Sequence, residues 1–534
     1  MALRRILPQE PLVSSDWQTL AGFLLSILFV LWISREFYIW RFRLRHIPGP
    51  FRDSVSCYWT LFSRGYSGQL YLWQRQQSQK YGRVFRTGPN HVITDDPDVL
   101  RRLGALRSPY IKAEWYMDIT RLARGTDTTL SLSGSPHADK LHRERHALLA
   151  PTYAGRDNTS PSLEDVVDTQ IQSLISYLDQ KIQNANMATC DFSAVAQYFA
   201  LDIISSVLWS EPFGFLRDDV DVGRYVQTMQ DFLPIRAALS SLPIMPWLRP
   251  ILSRLLPTPR DEAGLGKLMA AAEKALHARS TRLSDADGKH DPAGGGNGDM
   301  LSGMMNNMKG IRDRELFHEV IMAIVAGSDN TASALRMAMA FLVVNPPAYR
   351  RLCEEISQGV ASGKISSPVV RESETRAMPY LQAVVRETLR LYPLPAEFYK
   401  QVPPEGDEVA GYHIPGGTWL GANLNSLGRR TDLWGEDADL FRPERWIEAA
   451  ADETDGQGQR FRNMVNMVDL VFGSGRFQCL GKSLACMEVT KTLAELLRHF
   501  DFAAVEPTKP LKVEGYLLWL ITGQLLSVTR KRVA

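Results

Sequence analysis

A single helical pattern of about thirty residues, from Glu315 to Val344, sets the minimum size of the folded body. At a rise of 1.5 Å per residue such a helix is about 45 Å long, the full width of a large domain. Its first half, 320–327, is apolar on every face, and a helix of that kind is buried. The Asn345-Pro346-Pro347 sequence ends it, because proline cannot continue a helix. The pattern therefore predicts a large domain with a buried central helix.

A polar run stands in the middle of this pattern, at Ala326-Gly327-Ser328-Asp329-Asn330-Thr331. Gly, Ser, Asp, Asn and Thr are poor choices inside a buried helix, and a buried acid is costly without partners. Such a local violation indicates a functional site. The alternative is a helix kink with solvated polar groups.

Shorter patterns predict the rest of the body. Amphipathic helices are predicted at 164–182, 262–283, 348–361, 375–392 and 482–498, and a turn with short strands at 411–426. The glycine-rich stretch 285–300 lacks the Lys-Ser/Thr that a phosphate-binding loop places after its glycines, so it is predicted to be a surface loop.

Composition narrows the class of protein. The chain has 534 residues, 45% of them hydrophobic and 22% charged, which is typical of a globular protein and not of a disordered or collagen-like one. Its formal net charge of +2 gives no reason to expect nucleic acid as a partner. The cysteines are odd in number and scattered, which favours free thiols in a reducing compartment. They are Cys57, Cys190, Cys353, Cys479 and Cys486.

The N-terminal segment 17–34 carries no charge. It reaches the lower length limit of a membrane span, about 17 residues, and the arginines at 41, 43 and 45 favour a cytosolic body. No small-residue cleavage site follows, which disfavours a signal peptide; a buried core helix is the other alternative. We predict an N-terminal membrane anchor and basic linker over 1–46 (helix about 17–34) and a folded body over 47–534. In a cytosolic body the glycosylation sequon at Asn158 stays unused.

The break between the two parts is Pro48-Gly49-Pro50. Two prolines around a glycine cannot continue a helix. Its position after the basic linker indicates a hinge between anchor and body.

The cysteine at 479 stands in a glycine-rich loop, 472–481, that runs into a helical pattern. Cys479 therefore lies at or just before a helix N-terminus, where free N–H groups favour a thiolate. No second cysteine or histidine stands nearby at zinc spacing. A single thiolate suits haem iron as its proximal ligand, although a lone cysteine is more often a small buried hydrophobe.

This loop resembles the haem-binding loop of the cytochrome P-450 family. The polar run 326–331, the Glu387-Thr388-Leu389-Arg390 helix and the stretch 441–446 (Phe-Arg-Pro-Glu-Arg-Trp) stand in that family's order and spacing. The anchor and Pro-Gly-Pro hinge are similar to those of microsomal members, and 411–446 is similar to fungal members of the pisatin-demethylase type. The resemblance covers essentially the whole chain. It implies a mainly α fold with small β-sheets, the cytochrome P-450 fold, preceded by one transmembrane helix, with 47–534 as the haem-binding catalytic domain.

The resemblance also implies a proximal site for heme b (iron protoporphyrin IX). Cys479 would be the metal ligand, with Phe472 beside the sulfur and Gly475 and Gly481 allowing close backbone approach. A buried structural triad would hold this side of the fold, and its members are Glu387, Arg390 and Arg445.

On the distal side the resemblance implies catalytic roles for Asp329, Asn330 and Thr331, next to bound dioxygen. The family usually has threonine directly after the acid, whereas here Asn330 intervenes. An amide cannot relay a proton as a hydroxyl can. Three alternatives stay open: Thr331 supplies the hydroxyl through a shifted water, a hydroxyl of the substrate helps, or Asn330 holds the same water.

At the positions that bind the haem propionates, this chain departs from the family's pattern. The loop usually has arginine two places before the cysteine, where this chain has Phe477 after Arg476. The family's Trp-x-x-x-Arg positions are occupied by two histidines. The propionate candidates are Arg476, His142, Arg145, His146 and Lys400, and a solvated basic surface is the alternative.

As function, the resemblance implies a monooxygenase that uses O2 and electrons from NADPH-cytochrome P450 reductase, with cytochrome b5 as a second donor. Its substrate would be a lipophilic small molecule of fungal secondary metabolism, which suits the apolar stretch 516–521. The protein would be a single-pass endoplasmic-reticulum protein with a cytosolic catalytic domain. Two alternatives remain: rearrangement, coupling or desaturation without net oxygen insertion, and a non-catalytic haem-binding protein.

Overall fold

The computed structural model describes residues 14–38, 42–55, 61–124, 127–155, 162–183, 187–240, 245–285, 299–308, 312–393, 395–452, 458–509 and 511–531. Within these ranges the fold is mainly α-helical with small β-sheets, as predicted. The sequon at Asn158, most of the glycine-rich stretch 285–300 and Cys57 lie outside the described residues.

The helices follow in chain order. They are α1 Ser14–Tyr38, α2 Phe51–Val55, α3 Leu70–Tyr81, α4 Pro97–Gly104, α5 Trp115–Thr120, α6 Pro136–Tyr153, α7 Leu163–Ile182, α8 Phe192–Trp209, α9 Phe215–Asp218, α10 Tyr225–Ser240, α11 Met245–Leu252, α12 Leu265–Asp285, α13 Met300–Asn307, α14 Asp313–Val343, α15 Pro346–Ala361, α16 Glu372–Arg376, α17 Pro379–Leu391, α18 Leu424–Leu427, α19 Thr431–Trp434, α20 Glu444–Ala451, α21 Gln459–Val468 and α22 Lys482–His499. The predicted helices other than the N-terminal one correspond to α7, α12, α14, α15, α17 and α22.

The strands are short. They are β1 Val84–Gly88, β2 His91–Thr94, β3 Ile111–Lys112, β4 Ala188–Asp191, β5 Lys400–Gln401, β6 Asp407–Val409, β7 Tyr412–Ile414, β8 Trp419–Ala422, β9 Phe500–Ala504, β10 Lys512–Gly515, β11 Trp519–Thr522 and β12 Leu525–Arg530. The largest sheet has the order β1-β2-β8-β5-β3, with β2 and β8 parallel. In its β3–β5 pair, Lys112 lies opposite Lys400.

The central helix α14 is buried, as its apolar pattern predicts, and packs along α8. The two helices approach closely at Gly327, where a Cβ atom would lie 2.8 Å from Ile204 Cδ1. Glycine at 327 therefore leaves room for the Ile204 side chain, which would have to shift to accommodate a Cβ.

Helix α14 runs without interruption through 326–331, where a kink was the alternative to a functional site. Its polar side chains bond to carbonyls one turn back: Ser328 Oγ donates to Ile324 O at 2.8 Å and Asn330 Nδ2 to Ala326 O at 2.9 Å. Short polar side chains can satisfy themselves in this way inside a helix.

The N-terminal helix α1 is longer than the predicted 17–34 and exposes its apolar side chains. Phe23, Leu25 and Val30 are each more than 60% exposed. Among the described helices, α8 alone is long and apolar enough to cross a membrane, but 89% of it is buried in the body; the apolar part of α1, Thr19–Arg35, is shorter.

The basic linker packs against the body of the protein. Leu44 and Ile47 are buried against the β6–β8 region, and Arg43 Nη2 donates to Gly416 O at 2.5 Å. In the Pro-Gly-Pro break, a Cβ at Gly49 would lie 2.8 Å from Arg86 O. The chain is therefore docked on the sheet from about residue 43.

Candidate active site

A cavity of about 420 Å3 lies between α14, α10 and the loop before α22, a volume suited to a small molecule. Its lining is mostly apolar. The polar and charged side chains on its wall include Lys112, His142, His146, Arg236, Glu319, Asn330, Thr331, Lys400, Cys479 and Glu488. The cavity is also lined by three residues of the apolar stretch 516–521: Leu517, Leu518 and Trp519.

The loop that carries Cys479 is held by its own backbone. Cys479 N donates to Phe472 O at 2.7 Å, and Phe472 also lines the cavity. Gly475 has φ +52°, and a Cβ there would lie 2.1 Å from Gly104 O. The absence of a side chain at Gly475 therefore lets the loop pack closely against the C-terminal end of α4. A Cβ at Gly481 would lie 4.0 Å from the Cys479 sulfur, an ordinary contact distance.

The Cys479 side chain opens onto the cavity while the body of the protein encloses it. Burial raises the pKa of the thiol, and the N–H groups of Gly481 and Lys482 together with the Lys482 ammonium oppose that rise. The expected N-terminal N–H groups are thus present at the sulfur, but burial outweighs them.

Two lysines face the cavity from the five-stranded sheet. Lys112 Nζ donates to the backbone carbonyls of Thr129 and Leu130, and Lys400 Nζ donates to the Tyr116 hydroxyl at 2.5 Å. In the described part of the chain no carboxylate forms an ion pair with either lysine. Burial lowers the pKa of Lys112 to about 7 and that of Lys400 well below its ordinary value.

Charging both lysines is costly for the fold alone, because buried like charges opposite each other in a sheet repel and lose hydration, and the lowered pKa values express this cost. An anionic group in the cavity would offset the cost. Haem fits these residues: its two propionates match Lys112 and Lys400, its iron matches the Cys479 sulfur, and its apolar faces match the lining.

The other propionate candidates are placed differently. Arg145 and Arg476 do not line the cavity: Arg145 pairs with Glu315 at 2.9 Å, and Arg476 pairs with Asp139 at 2.8 Å. Each of these arginines therefore already has a carboxylate as its counter-ion. Lys112 was missed by the sequence analysis, because nothing marks a lone lysine until the strand register places it beside Lys400.

The two predicted histidines line the cavity and also bind the cysteine loop. His142 Nε2 lies 3.2 Å from Arg476 O and His146 Nε2 lies 3.0 Å from Gln478 O. Burial and the neighbouring Lys112 lower the pKa of His142 to about 3, so this ring is neutral. The pair therefore fixes the loop to α6.

On the distal wall, Asn330 and Thr331 line the cavity and Asp329 does not. Asp329 Oδ1 accepts from Gln197 Nε2 at 2.8 Å and Oδ2 from the Tyr225 hydroxyl at 3.3 Å. Burial raises the pKa of Asp329 to about 6, although the nearby Arg336 lowers it. The Asp329 carboxylate is therefore held by α8 and α10 and points away from the cavity wall that Asn330 and Thr331 form.

Thr331 is tied to a carboxyl that the sequence analysis missed. Its Oγ1 donates to Glu488 Oε2, on α22, at 2.9 Å. Burial raises the pKa of Glu488 to about 8, so this side chain is mostly protonated at neutral pH. Beside it, Asn330 Oδ1 is buried without a hydrogen-bond donor among the described residues.

The three residues of the predicted triad meet in the structure and are at most 2% exposed. Arg390 binds Glu387 through two hydrogen bonds of 2.8 and 2.7 Å, and Arg445 Nε donates to Glu387 Oε1 at 2.9 Å. Trp446 Nε1 adds a bond of 3.0 Å. Burial alone would raise the pKa of Glu387, but the two arginines and the Arg442 N–H lower it below its ordinary value.

Replacing Gly475 by alanine should destabilise the cysteine loop. A left-handed backbone costs a non-glycine residue about 1–2 kcal/mol, and here the added Cβ would also overlap Gly104 O. Gly363→Ala is the matched control, since Gly363 has φ +68° with open space around it. Urea denaturation should show a larger loss of unfolding free energy for Gly475→Ala; equal losses would mean that the approach to α4 is unimportant.

Glu488→Gln should stabilise the protein at neutral pH. The pKa of Glu488 is raised from 4.5 to about 8 on folding. The group therefore contributes its full stability to the folded protein below pH 4.5, and this contribution is lost as the pH rises toward 8. At pH 7 keeping Glu488 protonated costs about 3 kcal/mol, which glutamine avoids while still accepting from Thr331. Denaturation curves from pH 5 to 8.5 should show a gain that grows with pH; a gain that does not change with pH would contradict this assignment.

Comparison with known proteins agrees with this geometry. The family model described as "Cytochrome P450" matches residues 48–526. "Cytochrome P450 monooxygenase ABA1" of Pyricularia oryzae is 36% identical over 502 residues, covering 92% of this chain and 93% of the relative. "Cytochrome P450 monooxygenase aba1" of Botryotinia fuckeliana is 34% identical over 91% of this chain and 92% of its own length. "Cytochrome P450 monooxygenase mfmA" of Annulohypoxylon moriforme is 29% identical over 96% of both chains.

Proposed function

This chain belongs to the cytochrome P450 family and is an oxygen-incorporating oxidoreductase, and we propose that it hydroxylates a lipophilic small molecule of fungal secondary metabolism. The observation that carries the proposal is the apolar cavity with the Cys479 thiol and two lysines on its wall, neither of which has a carboxylate partner among the described residues. The family implies haem as cofactor. When bound, haem with its iron on a cysteine sulfur supplies the activation of dioxygen.

Different residues of this chain would bind the haem iron, bind the propionates and position the cysteine loop. Cys479 would bind the iron, and Lys112 and Lys400 would hold the two propionates by charge-assisted hydrogen bonds. His142 and His146 would keep the loop in register through its carbonyls. The Glu387 triad would keep the proximal side rigid without contacting substrate.

Proton supply on the distal side would come from side chains of α14 and α22. The Thr331 hydroxyl lies between the cavity and the Glu488 carboxyl, which is mostly protonated at neutral pH. It can therefore pass a proton from Glu488 to a group in the cavity. Asn330 Oδ1 can accept a hydrogen bond from a water in the cavity. Asp329 would act at a distance, since its carboxylate is held by Gln197 and Tyr225.

A second candidate is rearrangement, coupling or desaturation without net oxygen insertion. Asn330 favours it, because its Nδ2 is held by Ala326 O and an amide cannot relay a proton. The two candidates differ in product mass: hydroxylation adds one oxygen atom, and the alternative adds none.

We also propose that the electrons come from NADPH through a reductase, with cytochrome b5 as a second donor, and that α1 anchors the protein in the endoplasmic-reticulum membrane. The exposed apolar side chains of α1 support the anchor, since such a surface is unfavourable in water.

The function can be tested in membranes of a host that expresses the full chain and a fungal NADPH-cytochrome P450 reductase. An apolar extract of the source strain is supplied with NADPH, and accurate-mass profiling follows the conversion. A product heavier by one oxygen atom, absent with Cys479→Ala, is the expected result. A Cys479-dependent product of unchanged oxygen content would replace hydroxylation by the second candidate.

Removal of residues 1–38 should release the protein from membranes. The deletion takes away α1 but keeps the linker residues Leu44 and Ile47, which pack on the body. Membrane flotation of both proteins checks this, and a truncated protein that floats as completely as the full chain would contradict the anchor. Haem content serves as the control for folding.

A further inference from the structure

One arginine lines the part of the cavity wall that α10 forms. Four side chains of this helix face the cavity at the i, i+3, i+4, i+7 spacing of one helix face. Three are apolar and the fourth is charged: they are Met229, Phe232, Leu233 and Arg236. Arg236 therefore brings a positive charge into a mostly apolar surface.

The Arg236 guanidinium is only partly paired. Nη2 donates to Arg121 O at 2.7 Å, whereas Nε is enclosed without an acceptor among the described residues. The acid whose charge most raises its pKa, Asp118, is already bound by Arg249 at 2.5 and 2.9 Å. No ion pair involves Arg236 within the described ranges, so its charge has no counter-ion of its own.

This charge is costly, and neither its hydrogen bond to Arg121 O nor the Phe232 ring, 5.9 Å from the guanidinium carbon, neutralises it. Burial lowers the pKa of Arg236 to about 10, yet the group stays protonated at neutral pH. A neutral amide could donate to the Arg121 carbonyl equally well without the cost of burying a charge. A cation kept at a ligand cavity under that cost is best explained by an anion that the cavity receives.

The cofactor does not account for Arg236. The residues that fit the propionates, Lys112 and Lys400, lie on the five-stranded sheet. Arg236 lies on α10, which packs on α5 and α12. The two groups of cations therefore belong to different walls of the cavity.

We propose that Arg236 binds a carboxylate of the substrate, so that the substrate class is a lipophilic carboxylic acid. The inference rests on the proposed function. A guanidinium matches the two oxygens of a carboxylate, and one cation neutralises one anion. A phosphate would bring up to two negative charges and leave the second uncompensated in the apolar cavity. Holding the acid at α10 leaves the hydrocarbon part of the substrate free to extend toward Cys479.

Ligand pairs that differ only in charge test this assignment. Haem-loaded full-length protein is titrated with dodecanoic acid, naphthaleneacetic acid and retinoic acid, and with the methyl ester of each, by equilibrium dialysis and by the change in the haem spectrum. At least one acid should bind about tenfold or more tightly than its ester, as expected for a charge-assisted hydrogen bond. Arg236→Gln should abolish the preference and Arg236→Lys should keep part of it. Arg254→Gln, an exposed arginine near α11, should leave it unchanged.

Other outcomes overturn the inference. If Arg236→Gln weakens acids and esters equally, the arginine only ties α10 to Arg121. If acids and esters bind the wild type equally, or the preference survives Arg236→Gln, the carboxylate is not recognised here and the proposed function stands without it. If none of the six compounds binds, the lipophilic substrate class fails as well. Failure of the wild type to hold haem, read from the same spectra, would overturn the proposed function itself.

Discussion

Replacing Cys479 by serine should abolish substrate oxidation and the thiolate signature of the haem while leaving the fold intact. The Cys479 sulfur faces the cavity, and the loop around it is held by backbone bonds and by the histidines of α6. Serine should therefore change the ligand of the iron and little else. The measurement is the CO-difference spectrum of the reduced protein, with circular dichroism as the check on folding.

Cys486→Ser is the matched control. Cys486 also lines the cavity, seven residues later on α22, but it lies inside the helix rather than in the glycine-rich loop. Its variant should keep the thiolate band of the wild type. A Cys479→Ser protein that retains this band, or a Cys486→Ser protein that loses it, would place the iron ligand elsewhere.

Replacing Glu387 by alanine should lower the free energy of unfolding by about 3–5 kcal/mol, because it leaves two buried guanidinium groups without their carboxylate. Glu387 receives hydrogen bonds from Arg390, Arg445, Trp446 and the Arg442 backbone N–H, and its side chain is fully enclosed. Urea denaturation measures the loss, and haem retention should fall with it.

Glu448→Gln is the control for charge removal near this site. Glu448 pairs with Arg442 at 2.6 Å, but its side chain is 53% exposed. An exposed pair of this kind contributes about 0–1 kcal/mol. If Glu387→Ala cost no more than Glu448→Gln, the buried triad would not stabilise the fold.

The long helix, the helix-rich class and the composition of the triad could be predicted because each follows from local pattern or from ordered motifs. A helical pattern of about thirty mostly apolar residues predicts a long buried helix, and this helix is α14. The polar run 326–331 was predicted to mark a functional site, with a helix kink as the alternative, because propensity disfavours its residues inside a buried helix. The helix continues through this run because the side chains bond to the preceding turn and Gly327 fits against Ile204.

The details of the site could not be predicted, because they depend on register and on contacts between distant segments. Lys112 becomes significant only when β3 pairs with β5 and sets it opposite Lys400. Glu488 looks like an ordinary polar position of α22 until α14 brings Thr331 against it. Arg145 and Arg476 were predicted from motif positions, yet Glu315 and Asp139, which no motif marks, already pair with them.

The central claim, oxygen insertion that depends on the Cys479 thiolate, is tested most directly by isotope incorporation. The expressing host, with its reductase, is grown under isotopically labelled dioxygen, and the new product is compared by accurate mass with that of cells expressing Cys479→Ser. The account predicts one labelled oxygen atom in the product and no such product from the variant. A product that carries no labelled oxygen, or one that forms equally with Cys479→Ser, would contradict it.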